Sequence, residues 1–357
     1  MREIKVDLPG RPLSYAIRIA PGLRRKWSPL LAPLNLPPRL FIVSDDRVAR
    51  LYGPEVLSAL KEAGYNPTLL TVPPGERTKS WPVAARLARG ADRSTPLMAL
   101  GGGVVGDLTG FLASIFMRGL PFIQVPTTLL AMVDAAIGGK TAINLKEGKN
   151  LLGTIHQPLL VAVDPEFLAT LPPSHRRNGL AEVMKAAFIR DPEFLDWLTA
   201  NRRRLFSEPD ITGEMIHRAA TIKARVVAAD EREGGLRRIL NFGHTLGHAL
   251  EQASGFRLAH GQAVAWGMAG ALKLSQELAG LPRARVLEGL GILQDLGLTR
   301  KPPKLQLETM IKALPADKKR QGKDLVFVLL KDFGQPVIQT GVPMDQVAQC
   351  LKGLLQG

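Results

Sequence analysis

The sequence predicts an α/β protein, with an N-terminal, mainly parallel sheet domain followed by a mostly α-helical domain. Three observations carry this. Short apolar runs alternate with helical patterns through the first half of the 357 residues, which implies right-handed crossovers between parallel strands. From about Leu168 the texture changes to helical periodicity that continues past Leu290. β-type runs return only in "DLVFVLLKD" and "QPVIQT", which read as a late hairpin. The expected domains are 1–167 and 168–357, with a cleft between them as the default place for a ligand.

The elements follow in order. "IKVDL" and "YAIRIA" read as a pair of strands. "RLFIVSDD" is a strand with acids at its carboxyl end, and "VLSALKEAG" a helix with a glycine stop. "PTLLTVPPGE" is a strand entering a Pro-Gly turn, and "PLMALGGG" a buried strand running into glycines. "VVGDLTGFLASIFM" continues as a helix. "PFIQVPTTLLAMVDAAIGG" is a strand, then a helix ending at Gly138 and Gly139; "LLVAVDPEFL" is a strand closed by Asp164 and Pro165. The pattern is Rossmann-like, and ligands of such sheets sit beyond the carboxyl ends of the strands.

Hydrophobics at 45% and charges at 22% are ordinary for a globular protein. No apolar stretch reaches the roughly 18 residues of a membrane span, so no membrane association is expected. "MREIKVDLPG" has no apolar signal region, and the single Cys350 cannot form an internal disulfide; a cytoplasmic protein is expected. Cys350, at helical spacing in "MDQVAQCLKGLLQG", reads as a small apolar filler. The net charge of +15 attracts anions. Aromatics at 5% and scattered arginines argue against a nucleic-acid reader, and "NRRRLF" reads as a solvated helix end. The 27 prolines, many in loops, would suit heat adaptation.

"DAAIGGKTAINLKEGKN" looks at first like the end of a P-loop. Counting back from Gly139, Lys140 and Thr141, the required first glycine falls on Asp134, so the motif fails. "LMALGGGVVGDLTGFLAS" places Gly101, Gly102, Gly103 and Gly106 between strand and helix, where glycine lets the backbone approach a pyrophosphate. The spacing is not G-x-G-x-x-G alone, and a glycine turn without ligand is the plainer alternative. Asp45, at a strand end, can serve a ribose, and "PPGERTK" puts Glu76 and Lys79 on a loop at a neighbouring strand end.

Three of the six histidines, His244, His248 and His260, fall within "NFGHTLGHALEQASGFRLAHG". His244 and His248 share a helix face. Thr245 stands where a zincin would have its glutamate. Glu182 in "GLAEVMKAA" is a carboxylate in an apolar helix, with Lys185 on the same face. A carboxylate, two imidazoles and an open position describe catalytic zinc. Spacing alone leaves open which of His244 and His248 ligates.

Seven blocks now converge: "PPGERTKS", "GGGVVGDLTGFLAS", "PTTLLAMVDAAIGGKTAIN", "KNLLGTIHQP", "RNGLAEVMKAAFI", "DEREGGLRRILNFGHTLGHALE" and "HGQAVAWGM". In order and spacing, from roughly Asp45 to Met268, the chain resembles the 3-dehydroquinate synthases. The resemblance implies NAD and a divalent metal, Zn2+ or Co2+. It implies conversion of 3-deoxy-D-arabino-heptulosonate 7-phosphate to 3-dehydroquinate and phosphate, by transient oxidation, β-elimination, reduction, ring opening and intramolecular aldol closure. It implies metal ligation by Glu182, His244 and His260, with His248 facing substrate. For NAD it implies Asp45, Glu76, Lys79, Gly102, Gly103, Asp107, Thr127 and Thr128, with Asp134 and Lys149 bordering both ligands and Lys140 beside them. For substrate it implies Lys140, Asn150, Lys185, Lys223, Arg237, Asn241 and Lys318, the last favoured over Lys319. It implies a homodimer in which Arg118 reaches the neighbouring subunit's site. Lys223 and Arg237 suit a substrate carboxylate. Lys140, Arg118, Asn241 and His248 suit its phosphate. Arg47 departs from the family's usual asparagine after the strand-end acid. The rivals are another sugar-phosphate cyclase, a metal-dependent polyol dehydrogenase and a basic nucleic-acid-binding protein.

Overall fold

The computed structural model describes residues 1–7, 14–300, 304–314 and 325–356. The chain runs through β1 (Arg2–Val6), β2 (Tyr15–Ile19), α1 (Ser28–Leu31), β3 (Arg39–Asp45), α2 (Asp46–Glu62), β4 (Asn66–Val72) and α3 (Trp81–Leu87). Next come β5 (Leu97–Gly101), α4 (Gly103–Ile115), β6 (Phe122–Pro126), β7 (Lys140–Leu145), β8 (Gly148–Ile155) and β9 (Leu160–Val163). The helical part holds α5 (Pro173–Arg190), α6 (Pro192–Ala200), α7 (Pro209–Ala229), α8 (His244–Ala253), α9 (His260–Leu278), α10 (Arg283–Asp295) and α11 (Leu307–Ala313). It closes with β10 (Phe327–Asp332), β11 (Gln335–Gln339) and α12 (Met344–Gln356).

The chain forms two compact units. The first is Met1–Pro172 with Phe206–Arg232; the second is Pro173–Leu205 with Glu233–Gly357. The opening stretch of the first unit ends at Pro172, and α7 is grouped with the sheet, because it packs on β1 and on the Ala131–Ala135 segment.

In the first unit a seven-stranded sheet has the order β1-β2-β9-β6-β5-β3-β4, parallel except for the β1–β2 pair. Strands β5, β6 and β9 are buried throughout, which is why they read as unbroken apolar runs. Phe41, Val43, Leu97 and Ala99 pack with Leu108, Phe111 and Leu112 of α4 in one core. Each of these buried valine, leucine and phenylalanine side chains contributes about 1.5–3 kcal/mol, and the Ala99 methyl less. Glycine sets how close α4 lies: a β-carbon on Gly110 would stand 2.4 Å from Thr141.

The sequence reading assigns no element to Lys140–Asn150, whereas β7 and β8 form an antiparallel hairpin with Ile143 opposite Leu152. Its outer strand is exposed along most of its length, so it lacks the alternation of a half-buried strand. The second unit places helices around α9, with the late β10–β11 hairpin against it. No helix among the described residues is long and apolar enough to cross a membrane.

Candidate active site

Strand register gathers the expected cofactor residues at one edge of the sheet. Asp45 pairs with Val72, Ser44 with Leu100 and Gly101 with Pro126. The carboxyl ends of β3, β4, β5 and β6 are therefore level. They bring up Asp45, the Pro73–Lys79 loop, Gly102 with Gly103, and Thr127 with Thr128. Because β4 and β5 flank β3 on opposite sides, the strand order reverses here, where parallel sheets bind nucleotides. Gly102 caps α4 with no side chain, and a β-carbon on it would meet Thr128 at 3.1 Å. The Thr127 hydroxyl is buried without a hydrogen-bond partner among the described residues. A bare helix start and an orphaned hydroxyl fit a dinucleotide's pyrophosphate and hydroxyls. Asp45 Oδ1 accepts the amides of Arg47 and Val48, both at 3.0 Å, and so starts α2.

Lys79, buried at 3% exposure, donates to Asp107 at 2.6 Å and to the Asn150 side chain. Burial raises the Asp107 carboxyl to about 6 even though Lys79 pulls it down. The hairpin is tied to the same group: the Asn144 amide donates to Glu76 Oε1 at 2.8 Å, and its oxygen accepts the Asn150 backbone N–H at 2.9 Å. Asn150, expected at substrate, thus touches Lys79, expected at the cofactor. Lys140 and Lys149 lie exposed on the hairpin.

Asp134 lies in a π-helical turn, Ala131–Ala135, and pairs closely with Lys223 of α7. A π-turn rotates a side chain away from the regular helix face and often marks a functional site. Arg118 sits exposed with φ 70°, between Met117 at φ 50° and Gly119 at φ 125°.

In the second unit, glycine contacts assemble the histidine cluster. A β-carbon on Gly267 would lie 1.9 Å from the Gly243 carbonyl oxygen, so α9 presses against the start of α8. Gly261 approaches Asn178 of α5 in the same way, and the Asn178 side chain accepts its N–H. Asn178 is one turn before Glu182. Glu182 Oε1 consequently stands 3.1 Å from His260 Nε2 and 3.6 Å from His244 Nε2. Two donors bound at about 2.0–2.1 Å to one tetrahedral ion would be separated by similar distances. These three residues form one group able to hold a metal. Lys185 pairs with Glu182 Oε2, leaving Oε1 toward the imidazoles.

Burial would raise Glu182, but Lys185, His244 and His260 hold it well below the usual carboxylate range. Burial and the Lys185 ammonium push His244 down to about 3, so it is neutral. Its Nδ1 is 3.3 Å from the Phe242 carbonyl, which can only accept, so a proton on Nδ1 satisfies that contact and leaves Nε2 as the donor atom for a metal. Burial lowers His260, yet its hydrogen bonds to Glu182 and Glu251 outweigh that and raise it to about 10. The choice that spacing left open between His244 and His248 has a geometric counterpart: only His244 groups with Glu182, while His248 groups with Glu251 and His260.

Arg237 is buried at 2% exposure in the 3-10 segment Leu236–Asn241, and the Asn241 amide donates to Glu233 Oε1 at 2.8 Å. Lys318 lies outside the described residues. Sequence reasoning passed over Asn144, Glu233 and Glu251. Glu251 had a signal, since it shares a helix face with His244 and His248 at i+7 and i+3. Asn144 and Glu233 had none, because their roles depend on a hairpin register and on a left-handed turn, Glu233 having φ 60°.

A parallel sheet with a glycine-lined carboxyl edge, together with a helical unit bearing a carboxylate and two imidazoles, defines the class of dinucleotide- and metal-site enzymes to which the sugar-phosphate cyclases belong. Residues 69–178 match the model of the 3-dehydroquinate synthase N-terminal region and residues 179–320 that of its C-terminal region. The chain belongs to the 3-dehydroquinate synthase family. It is 42% identical to the 3-dehydroquinate synthase of Nostoc punctiforme, over 98% of this chain and 99% of that one. The Rhodospirillum rubrum enzyme is 45% identical, over 91% and 88%. Among solved structures, 2-epi-5-epi-valiolone synthase from Streptomyces hygroscopicus, with NAD+ and Zn2+ bound, matches at TM-score 0.87 and 32% identity, covering 97% and 98%.

Proposed function

We propose that the protein converts 3-deoxy-D-arabino-heptulosonate 7-phosphate to 3-dehydroquinate and inorganic phosphate, as an NAD- and metal-dependent carbon–oxygen lyase of the shikimate pathway. The observation that carries this is the Glu182–His244–His260 set in a chain of this family. NAD would take up and return a hydride at the substrate, and Zn2+ or Co2+ would polarise the oxygen at the oxidised carbon.

The chain's own groups do the rest. Glu182, His244 and His260 present the donors, with Phe242 and Lys185 fixing their orientation. Asp45, Gly102, Gly103, Thr127 and Thr128 line the edge that takes the dinucleotide, with Glu76, Lys79, Asp107 and Lys149 around it. Lys223 and Arg237 provide cations for the substrate carboxylate; substrate would exchange one Lys223 contact with Asp134 for another. Lys140, Asn150, Asn241, His248 and Lys318 are assigned to its phosphate and hydroxyls. The two units form the cofactor-binding and the metal- and substrate-binding domains, apart from α7.

A homodimer with Arg118 supplied across subunits is part of the same reading. Met117 and Arg118 are two successive non-glycine residues with left-handed backbone, a strain of the kind that clusters at functional sites. Ile115, Met117, Leu151 and Leu152 are large apolar residues left exposed in this unit. The test of the function is phosphate release from the heptulosonate phosphate with NAD present. Release should stop when the metal is stripped, return with Zn2+ or Co2+, and proceed without build-up of NADH. Steady NADH accumulation with simple polyols would favour a dehydrogenase instead.

A further inference from the structure

Helix α8 carries a second carboxylate to the metal group. The His260 ring lies between two acids: Nε2 is 3.1 Å from Glu182 Oε1, and Nδ1 is 3.4 Å from Glu251 Oε2. An imidazole offers a lone pair at one nitrogen only when its proton sits on the other. We propose that Glu251 is a positioning residue for the metal, accepting the Nδ1 proton of His260 and so committing Nε2 to the ion. This rests on the ligand set proposed above.

Two features of the fold support it. Glu251 is two turns beyond His244 on α8, so the helix that supplies one ligand also orients the other. Its side chain is largely buried, at 13% exposure, which strengthens its hold on an N–H donor. Each donor then has its own partner: Lys185 for Glu182, the Phe242 carbonyl for His244, and Glu251 for His260. Losing such a partner typically weakens metal binding about 10- to 100-fold.

The test measures Zn2+ affinity of metal-stripped protein by competition with a fluorescent chelator. Wild type, Glu251→Gln, Glu251→Ala and His244→Ala are compared, with NAD affinity and the melting temperature of the metal-free proteins as references. We expect Glu251→Ala to bind Zn2+ about 10- to 100-fold more weakly, with NAD affinity unchanged. Glu251→Gln, whose amide oxygen still accepts the proton but lacks charge, should fall between, and it serves as the test should the alanine variant not fold. The visible spectrum of Co2+-loaded Glu251→Gln should differ from wild type, which a merely structural role would not produce. Wild-type affinity in Glu251→Ala, with binding lost in His244→Ala, overturns the role of Glu251 alone. Two Zn2+ per wild-type chain, one of them lost in Glu251→Ala with the other unchanged, overturns it too, making Glu251 a ligand of its own ion with His248. Normal binding by His244→Ala would bring down the ligand set itself.

Discussion

Gly261 sits so close to Asn178 that a β-carbon on it would lie 2.1 Å from the Asn178 carbonyl oxygen. The contact joins the first turn of α9 to α5, and with it His260 to Glu182. Backbone faces backbone, so no side-chain rotation can relieve a clash.

Gly261→Ala should therefore separate Glu182 from His260. We expect a loss of about 1–3 kcal/mol of stability, and weakened Zn2+ binding, read by thermal unfolding and metal content. Gly213→Ala is the contrast. Gly213 lies within α7 with nothing within 4 Å of an added β-carbon, so alanine should stabilise by about 0.5–1 kcal/mol. Equal effects at both sites would contradict the packing argument.

Asp107 links the cofactor edge to pH. Its folded carboxyl titrates near 6 against an ordinary 3.8, so between these values the folded state binds more protons than the unfolded one. Stability without NAD should therefore be greatest below about pH 4 on this account and decline as pH rises to about 6. Asp107→Asn should flatten that part of the profile, measured by denaturant unfolding across the range. Parallel profiles for the two proteins would exclude Asp107 as the source.

Cys350 is buried on α12, its thiol 3.4 Å from the Gly270 carbonyl, and burial pushes it up to about 12. At pH 8 the native chain should react negligibly with a thiol reagent, and denaturant should release one reactive thiol per chain. Rapid native labelling would contradict the placement.

Lys140→Ala and Lys223→Ala should each lower kcat/KM for phosphate release by about 10- to 100-fold, the worth of a charge-assisted contact. Near wild-type efficiency would remove that residue from the substrate set.

Arg118→Ala and Lys140→Ala, mixed and reassembled, test the shared site. If Arg118 acts across subunits, a mixture of the two impaired parents should regain about a quarter of wild-type sites, since each heterodimer holds one intact site. No recovery in proven heterodimers would place Arg118 in its own subunit's site or outside both.

The sequence by itself determined the layer plan. Buried parallel strands must read as apolar runs, and a helical region cannot hide its 3.6-residue period, so β3, β5, β6 and β9 were legible. The glycine turn after β5 and the histidine cluster were legible too, because their residue types are unusual where they stand. The hairpin β7–β8 was not, since its exposed outer strand leaves no alternation. Nor was the grouping of α7 with the sheet, which local periodicity does not encode. Only the tertiary structure decided that His244, not His248, groups with Glu182, and that Glu251 stands behind His260. Residues at i and i+4 look alike from the helix that bears them. Which one meets a partner is set by where other helices cross, and here Gly243, Gly261 and Gly267 set those crossings by letting backbones touch.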